Sequence, residues 1–245
     1  SRMDSEKIRP LIWESFGRLY GSFGAQGWWP VTVRKGKYPV YRPGVYVPQN
    51  KSEVWEIACG AVLTQNTSWK NVTRSLIALG EAGIKSPEDV LSISKSRLAE
   101  LIRSSGYFRQ KAERLRVLAN FFVKKDWEKE PTKIVREKLL ALKGIGHETA
   151  DSILLYALGR PVFVVDAYTR RLGERIGFLT GKESYEEVRA LFEKNLTSSV
   201  PLFNEFHALV VRLSTEICLK KPSCGRCCLN DFCGYCRERA AVSAS

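Results

Sequence analysis

Six of the seven cysteines of this 245-residue chain lie between Cys218 and Cys236. Four of them have the spacing Cys-x5-Cys-x2-Cys-x5-Cys, namely Cys218, Cys224, Cys227 and Cys233. Pro222 and nearby glycines allow this short stretch of backbone to fold tightly. The four thiolates can therefore meet at one inorganic centre, which places a strong constraint on this part of the fold.

Two inorganic centres fit this spacing. Structural zinc sites usually combine two Cys-x2-Cys pairs that lie far apart, whereas this chain has one such pair with gaps of five residues on both sides. The pattern favours a [4Fe–4S] cluster, and zinc stays the alternative. Cys228 and Cys236 are spare, and one of them could replace a ligand. A disulfide framework is disfavoured, because Cys59 is the one cysteine elsewhere and we expect no secretory segment.

The charge of the chain points to a polyanionic partner. Lys and Arg outnumber Asp and Glu by 39 to 26, which gives a formal net charge of +13. Nucleic acid is the leading candidate, and a basic surface of the thermophilic type is the alternative. No apolar run approaches the roughly 20 residues of a membrane-spanning helix. We expect a monomeric cytoplasmic protein of a prokaryote, associated with the nucleoid and not with membranes.

Apolar residues recur at helical spacing along most of the chain, which predicts an all-α fold. Residues 31–50 contain prolines, glycines and tyrosines and predict a long loop or a small hairpin. The one strand-like run, Pro161–Val165, is too short to build a sheet alone. The predicted helices are 8–23, 53–64, 68–80, 87–92, 95–103, 108–124, 131–142, 147–158, 166–176, 183–195 and 201–217.

A glycine-rich turn at residues 142–150 is the strongest chemical signal. Gly144 and Gly146 bracket Ile145 between two apolar helical segments, which predicts a helix, a tight turn and a second helix. Backbone N–H groups at the start of the second helix can bind a phosphate oxygen without reading the base sequence. Lys143 belongs to this turn, where we expect it to face the backbone of a nucleic-acid partner. Taken alone, Gly-x-Gly is a weak signal, and a plain turn between helices would be the better interpretation.

Five elements in the same order resemble the helix-hairpin-helix superfamily of DNA glycosylases, specifically the endonuclease III type. They are GAVLTQNT at 60–67, the Gly106-Tyr107-Phe108-x-x-Lys111-Ala112 segment, the glycine turn, Val165-Asp166 and the cysteine run. The resemblance spans residues 53–236 and implies a [4Fe–4S] cluster on the four cysteines and a catalytic role for Asp166. Asp166 also precedes a predicted helix and can cap it at the same time.

The chain departs from the bifunctional members of this superfamily at Glu148. Those members carry a lysine at this position, two residues after the second glycine, and its amine forms a Schiff base with the sugar. The resemblance therefore implies a monofunctional glycosylase, in which Asp166 stabilises oxocarbenium charge and helps to position or deprotonate a water. Glu148 is either an acid favoured by the helix dipole or a residue of the base pocket.

Trp28-Trp29-Pro30 ahead of GAVLTQNT, together with Trp69, resembles the 3-methyladenine DNA glycosylases of this type. An alkylated purine is cationic, so an aromatic pocket can select the extruded base by stacking and cation–π attraction. We predict excision of 3-methyladenine and 7-methylguanine from damaged double-stranded DNA, which leaves an abasic site. Core packing is the alternative for the tryptophans. The alternative functions are a mismatch-specific uracil/thymine or adenine glycosylase and a non-catalytic DNA-binding protein.

The resemblance also implies that Gln65 fills the space left by the extruded base and that Tyr107 is a wedge in the base stack. Gln65 could instead cap a buried backbone group. We predict a lobe of residues 53–180, and a second lobe of 1–52 plus 181–245 with the cluster loop at 218–236. A cleft between them would hold Asp166 and the tryptophans. His147 and His207 lack the spacing of metal ligands, so a surface or core role is expected.

Overall fold

The computed structural model describes residues 3–245, and over that range the all-α prediction is confirmed. The β-structure of the described residues is one isolated antiparallel bridge, between Val31 and Val40. Among residues 3–245 the structure has twelve α-helices: α1 Ser5–Phe23, α2 Lys51–Leu63, α3 Trp69–Glu81, α4 Pro87–Ser92, α5 Lys95–Leu101, α6 Phe108–Lys124, α7 Thr132–Leu140, α8 His147–Ser152, α9 Ala167–Ile176, α10 Tyr185–Asn195, α11 Val200–Glu216 and α12 Gly234–Ala244.

Eleven of these helices match predicted ones with small shifts at their ends, and α12 was not predicted. The predicted helix 147–158 is divided into α8 and a π-helical turn, Ile153–Ala157. None of the helices in the described part of the chain has the length and apolar character needed to cross a bilayer.

Polar side chains fix the starts of most helices by accepting a backbone hydrogen bond from the first turn. At α10, Ser184 and Glu187 form a reciprocal capping box. The other caps follow the sequence pattern of a Ser, Asp or Asn immediately before the helix: Asp4, Asn50, Ser68, Ser86, Ser94 and Ser199.

The chain divides into two compact units. The hairpin unit is Trp29–Arg160, and the cysteine unit comprises the described residues up to Trp28 together with Pro161–Ser245. In this division residues 29–52 belong to the hairpin unit and residues 161–180 to the cysteine unit.

The hairpin unit contains α2 to α8. The loop after α2 carries Gln65, and the loop before α6 carries Tyr107. The glycine turn joins α7 to α8. Trp55 of α2 packs edge-on against Phe122 of α6 with ring centroids 5.6 Å apart, and Trp127 also contacts Phe122, with centroids 5.4 Å apart. This aromatic layer holds α2 against α6.

The cysteine unit has a phenylalanine core on which α10 and α11 pack. The rings of Phe163 and Phe192 stack in parallel with centroids 4.3 Å apart, and Phe206 lies edge-on to both. The segment 162–165 is extended and buried without a neighbouring strand. Side chains supply its hydrogen bonds, since Glu193 accepts from the Phe163 N–H and the Tyr185 hydroxyl accepts from the Val165 N–H.

Candidate active site and DNA interface

Asp166 lies where the buried segment 162–165 meets α9, and it is the N-cap residue of that helix. Its Oδ1 accepts hydrogen bonds from the Thr169 backbone N–H at 2.8 Å and from the Thr169 hydroxyl at 2.9 Å. Its Oδ2 lies 2.9 Å from Nε2 of His207. The side chain is 10% exposed. The capping role considered from the sequence is therefore present, and it fixes one oxygen of the carboxylate.

The carboxyl group of Asp166 is ionised in spite of its burial. Burial raises the pKa of Asp166. The hydrogen bond and charge of His207 and the hydrogen bonds from Thr169 lower this pKa by more than burial raises it, so it lies below the usual aspartate value. A buried, charged carboxylate held at both oxygens is suited to stabilise a developing positive charge, because it needs little reorganisation during the reaction.

His207 links Trp28 to this carboxylate within the cysteine unit. The rings of Trp28 and His207 meet edge to face, with centroids 5.5 Å apart and planes at 87°. The Trp28 carbonyl oxygen accepts a 2.8 Å hydrogen bond from the side chain of Asn204, one turn before His207 on α11. Glu205 accepts a hydrogen bond from the Gln26 N–H at 3.1 Å. The predicted pocket residue Trp28, which is half-buried, thus belongs to the same cluster as Asp166.

The sequence interpretation missed the partnership of His207 with Asp166 and gave the histidine a surface or core role. A signal was present, because Asn204, Glu205 and His207 interrupt an otherwise apolar part of α11 and are at most 5% exposed. Buried polar groups need hydrogen-bond partners. The sequence shows this need but does not show which residue meets it.

Trp29 and Trp69 meet in the hairpin unit. Their rings are edge to face with centroids 5.6 Å apart, and Trp29 also packs on Tyr156 at 5.2 Å. A Cβ atom at Gly60 would lie 3.1 Å from Nε1 of Trp29, so a larger residue at this position in α2 would require the indole to shift by a few tenths of an ångström. Trp29 is 9% exposed and has the contacts of a core residue, whereas Trp69 is half-buried at the start of α3. Of these two, Trp69 retains more surface for a ligand.

The glycine turn between α7 and α8 has the predicted form. The Leu142 carbonyl accepts a hydrogen bond from the Ile145 N–H at 3.2 Å, which closes the turn. Gly144 has φ +85°, and a Cβ there would lie 2.5 Å from the Arg114 side chain. The backbone conformation therefore favours glycine at this position, and any larger residue would also have to displace the Arg114 side chain.

The exposed side of this turn is available to a partner. Lys143, Gly144 and Gly146 are exposed, while Ile145 is 5% exposed and anchors the turn in the hairpin unit. Glu148 is exposed in the first turn of α8, where the helix dipole favours an acid. This arrangement presents backbone and one lysine outward and can bind the phosphates of a nucleic acid.

Gln65 and Tyr107 lie on two loops that a single buried lysine joins. Lys111 is 1% exposed, and its Nζ donates hydrogen bonds of 2.7 Å to the carbonyl oxygens of Leu63, Gln65 and Ser105. The ammonium group thereby ties the loop after α2 to the turn before α6. The Gly-Tyr-Phe-x-x-Lys-Ala motif is visible in the sequence, but this function of its lysine was not predicted.

Both of these loops contain a residue in the left-handed region. Asn66 has φ +55°, and Tyr107 has φ +43° and is 62% exposed. Non-glycine residues adopt this conformation at a cost, and such strain concentrates at functional sites.

Burial and the charge of Arg114 lower the pKa of Lys111 to about 8. The three carbonyl acceptors favour the charged form of this lysine, because the ammonium group supplies three donors.

Five cysteines of the run line one pocket in the cysteine unit, together with apolar residues such as Leu172 and Ile217. They are Cys218, Cys224, Cys227, Cys233 and Cys236. Cys228 is not among the residues that line it, so Cys236 is the spare thiol placed to exchange with a ligand. Within residues 3–245, no three His, Cys, Asp or Glu side chains are grouped closely enough to hold a single metal ion.

Hydrogen-bond donors surround these sulfur atoms. An Nη1–H of Arg175 donates to Sγ of Cys218 at 3.2 Å, and the Leu229 N–H donates to Sγ of Cys227 at 3.4 Å. Burial raises the pKa of Cys227 to about 12. Coordination of a metal ion would favour the thiolate form against this effect of burial. The pocket thus brings several thiols, which are ligands for zinc and for iron–sulfur clusters, around one small space.

Comparisons with known proteins define the class. Residues 59–198 match the HhH-GPD superfamily of base excision DNA repair proteins. A Methanocaldococcus jannaschii protein, provisionally assigned as a DNA repair glycosylase, is 37% identical over 230 residues, which cover 91% of this chain and 96% of that protein. The chain belongs to the HhH-GPD superfamily. It is a DNA glycosylase of base excision repair, which confirms the resemblance seen in the sequence.

The similar proteins include a 3-methyladenine DNA glycosylase and endonuclease III. The H. pylori 3-methyladenine DNA glycosylase bound to 1,N6-ethenoadenine has a TM-score of 0.65 and 30% identity, with 87% of this chain and 98% of that chain covered. Endonuclease III of Thermotoga maritima is 28% identical, with 78% of this chain and 89% of that protein covered. A trapped endonuclease III–DNA covalent intermediate shares the fold, with a TM-score of 0.73 and 22% identity over 97% and 99% of the two chains.

Proposed function

We propose that this protein is a monofunctional DNA glycosylase that hydrolyses the N-glycosidic bond of alkylated purines such as 3-methyladenine and 7-methylguanine. The observation that carries the proposal is the cluster of Trp28, His207 and Asp166, in which an aromatic ring lies beside an ionised, buried carboxylate. The similarity to the H. pylori enzyme supports the same substrate class. Half-buried Trp69 is the proposed second aromatic contact.

The chemistry of alkylated purines suits this cluster. Alkylation at N3 or N7 gives the base a positive charge, so the base is attracted to an aromatic face and leaves as a neutral molecule with the bonding electron pair. The sugar then has oxocarbenium character, which Asp166 stabilises. Water adds to the sugar carbon and loses a proton, and the products are the free purine and an abasic site.

The residue at the hairpin supports a reaction without strand cleavage. Glu148 stands where an imine-forming lysine would be required, and a carboxylate does not form an imine. The endonuclease III relatives make strand cleavage the competing possibility, with Lys143 of the exposed turn as the nearby amine in sequence. We propose that Lys143, Gly144, Ile145 and Gly146 bind the DNA backbone and that Gln65 and Tyr107 occupy the disrupted base stack.

We further propose that Cys218, Cys224, Cys227 and Cys233 hold a [4Fe–4S] cluster. The thiols line one pocket, and N–H donors face two of the sulfurs, as is typical of cluster ligands. The bound cluster would cross-link the loop between α11 and α12, and the chemistry at the sugar would proceed without it.

The deciding experiment is incubation of the protein with methylated duplex DNA, with identification of the released bases by chromatography. Duplexes with U·G, T·G and A·8-oxoguanine pairs are assayed in parallel, and each reaction is repeated with borohydride. We expect release of 3-methyladenine and 7-methylguanine, strand breaks only after alkali, and no trapped complex. Asp166→Asn is the matched inactive control.

Three results would contradict this function. Release of uracil, thymine or adenine without methylated purines would favour the mismatch enzyme. Tight DNA binding without release of any base would favour the non-catalytic alternative. A borohydride-trapped complex that disappears in Lys143→Ala would show that the hairpin lysine forms an imine.

A further inference from the structure

We infer that His207 is a positioning residue for the reaction, because it fixes the free oxygen of Asp166 and supports the ring of Trp28 at the same time. This inference rests on the proposed catalytic role of Asp166. The histidine would set the direction of the carboxylate toward the sugar and the position of the aromatic wall, without itself reacting.

The two carboxylate oxygens of Asp166 contact different helices, α9 and α11. Thr169, on the same helix as the carboxylate, supplies both donors to Oδ1. Oδ2 receives its contact from α11, through His207 at 2.9 Å. An ionised carboxylate is purely an acceptor, so Nε2 of His207 carries the proton and donates it. Without this contact the carboxylate would be held through one oxygen, and rotation about its Cβ–Cγ bond would move Oδ2.

The same helix also holds the loop with Trp28. Asn204 binds the Trp28 carbonyl at 2.8 Å, Glu205 binds the Gln26 N–H at 3.1 Å, and the ring of His207 meets the Trp28 ring. These three side chains of α11 are between 1% and 5% exposed. Burial of three polar side chains within one turn of helix is costly unless each is engaged, so this part of α11 serves to place other groups.

A positioning role predicts which kinetic constant changes. The contact acts on a charge that matters most in the transition state, so its loss should lower the rate of base release and leave DNA affinity nearly unchanged. Misplacement of a catalytic group by about 1 Å can cost on the order of a hundredfold in rate. A residue that merely fills space would instead affect stability and binding together.

The test compares His207→Leu with His207→Gln. The leucine removes the donor and keeps apolar volume, whereas the glutamine amide can donate to Oδ2. We expect the leucine variant to release base about ten- to a hundredfold more slowly in single-turnover assays, with DNA affinity within about twofold, and the glutamine variant to recover most of the rate. Equal rates in leucine variant and wild type, or parallel losses in both variants with lower melting temperatures, would overturn the inference.

The substrate used is whichever lesion the wild type excises, so a wrong substrate class would not affect the comparison. A second measurement needs no activity. The chain has two histidines, and His147 is exposed on α8, so the imidazole NMR signals are few and contain an internal control. Asp166→Asn should shift the signals of His207 and speed exchange of its Nε2 proton, while those of His147 stay unchanged. Unchanged His207 signals would refute the contact even if no base is released.

Discussion

The guanidinium of Arg136 on α7 and the carboxylate of Asp151 on α8 form two hydrogen bonds, of 2.7 Å and 3.1 Å, across the glycine turn. The Asp151 side chain is fully buried and that of Arg136 is 13% exposed. The pair therefore joins the two helices of the hairpin beneath the surface that presents Lys143 and the glycines.

Arg136→Met should destabilise the protein by about 3–5 kcal/mol, because removal of one partner leaves a buried carboxylate without its guanidinium. Urea unfolding would measure this loss. Arg97→Met is the matched control, since Arg97 pairs with Glu100 on the surface, where both side chains are more than half exposed. Exposed pairs contribute about 0–1 kcal/mol. Equal effects of the two substitutions would contradict a structural role for the buried pair.

Lys111→Met should loosen the loops that carry Gln65 and Tyr107. The methionine fills the space but leaves three carbonyl oxygens without their donor, and each buried acceptor left unsatisfied costs about 1–3 kcal/mol. We expect lower stability in urea unfolding. We also expect weaker extrusion of a target base, which the fluorescence of 2-aminopurine in the DNA would measure. Lys95→Met, at a half-exposed lysine, is the control and should change stability by less than about 0.5 kcal/mol. Wild-type stability and fluorescence in the Lys111 variant would show that this lysine does not hold the two loops.

Asp166 should make its contribution to stability depend on pH in a defined direction. Its pKa in the folded protein lies below the unfolded value of about 3.9, so the unfolded chain binds the proton more readily. The stabilisation is fully present above that value and is lost as the pH falls through the folded pKa. The stability difference between wild type and Asp166→Asn should thus shrink as the pH falls below about 4. A difference that grows in acid would contradict this sign.

Arg175 should tune the proposed cluster. Its Nη1–H donates to Sγ of Cys218, and its guanidinium stacks over Tyr235 at 4.7 Å from the ring centroid. Hydrogen bonds to ligand sulfur stabilise the reduced, more negative cluster. Arg175→Met should therefore shift the reduction potential to more negative values in voltammetry. Arg237 binds the Asp231 carbonyl and serves as control. A colourless protein that contains stoichiometric zinc would contradict the proposed iron–sulfur cluster.

Most of the helices could be predicted because local signals agree with the global fold. A serine, aspartate or asparagine cap followed by apolar residues at helical spacing marks their starts, as at Ser86-Pro87. Helix α12 could not be found this way, since it begins at Gly234 and has no buried residue. The π-helical turn after α8 was missed as well, because helical periodicity does not distinguish it from a continuing α-helix.

The candidate site was predictable where a motif marks it and not where tertiary packing makes it. Asp166 and the glycine turn follow from sequence order, whereas His207 reaches Asp166 across 41 residues of chain. Likewise, the Trp28-Trp29 pair gives no indication that the first ring lies beside a histidine and the second is enclosed by Tyr156 and Gly60. Adjacent identical residues therefore have different environments.

This difference makes the adjacent tryptophans a direct test of the base pocket. Trp28→Ala should slow release of alkylated purines by roughly ten- to a hundredfold, since stacking contributes about 1–3 kcal/mol per base. It should leave the salt-dependent affinity for undamaged duplex intact, because the basic surface supplies that affinity. Trp69→Ala should act in the same direction.

Trp29→Ala should behave differently, because it deletes a buried ring that packs on Trp69 and Tyr156. We expect a loss of about 3–5 kcal/mol in stability, measured by urea unfolding, and reduced activity only in proportion to the unfolded fraction. Excision assays and unfolding curves on the same three variants separate the two roles. If Trp28→Ala unfolds the protein while Trp29→Ala stays stable and loses excision, the assignment of wall and core is reversed.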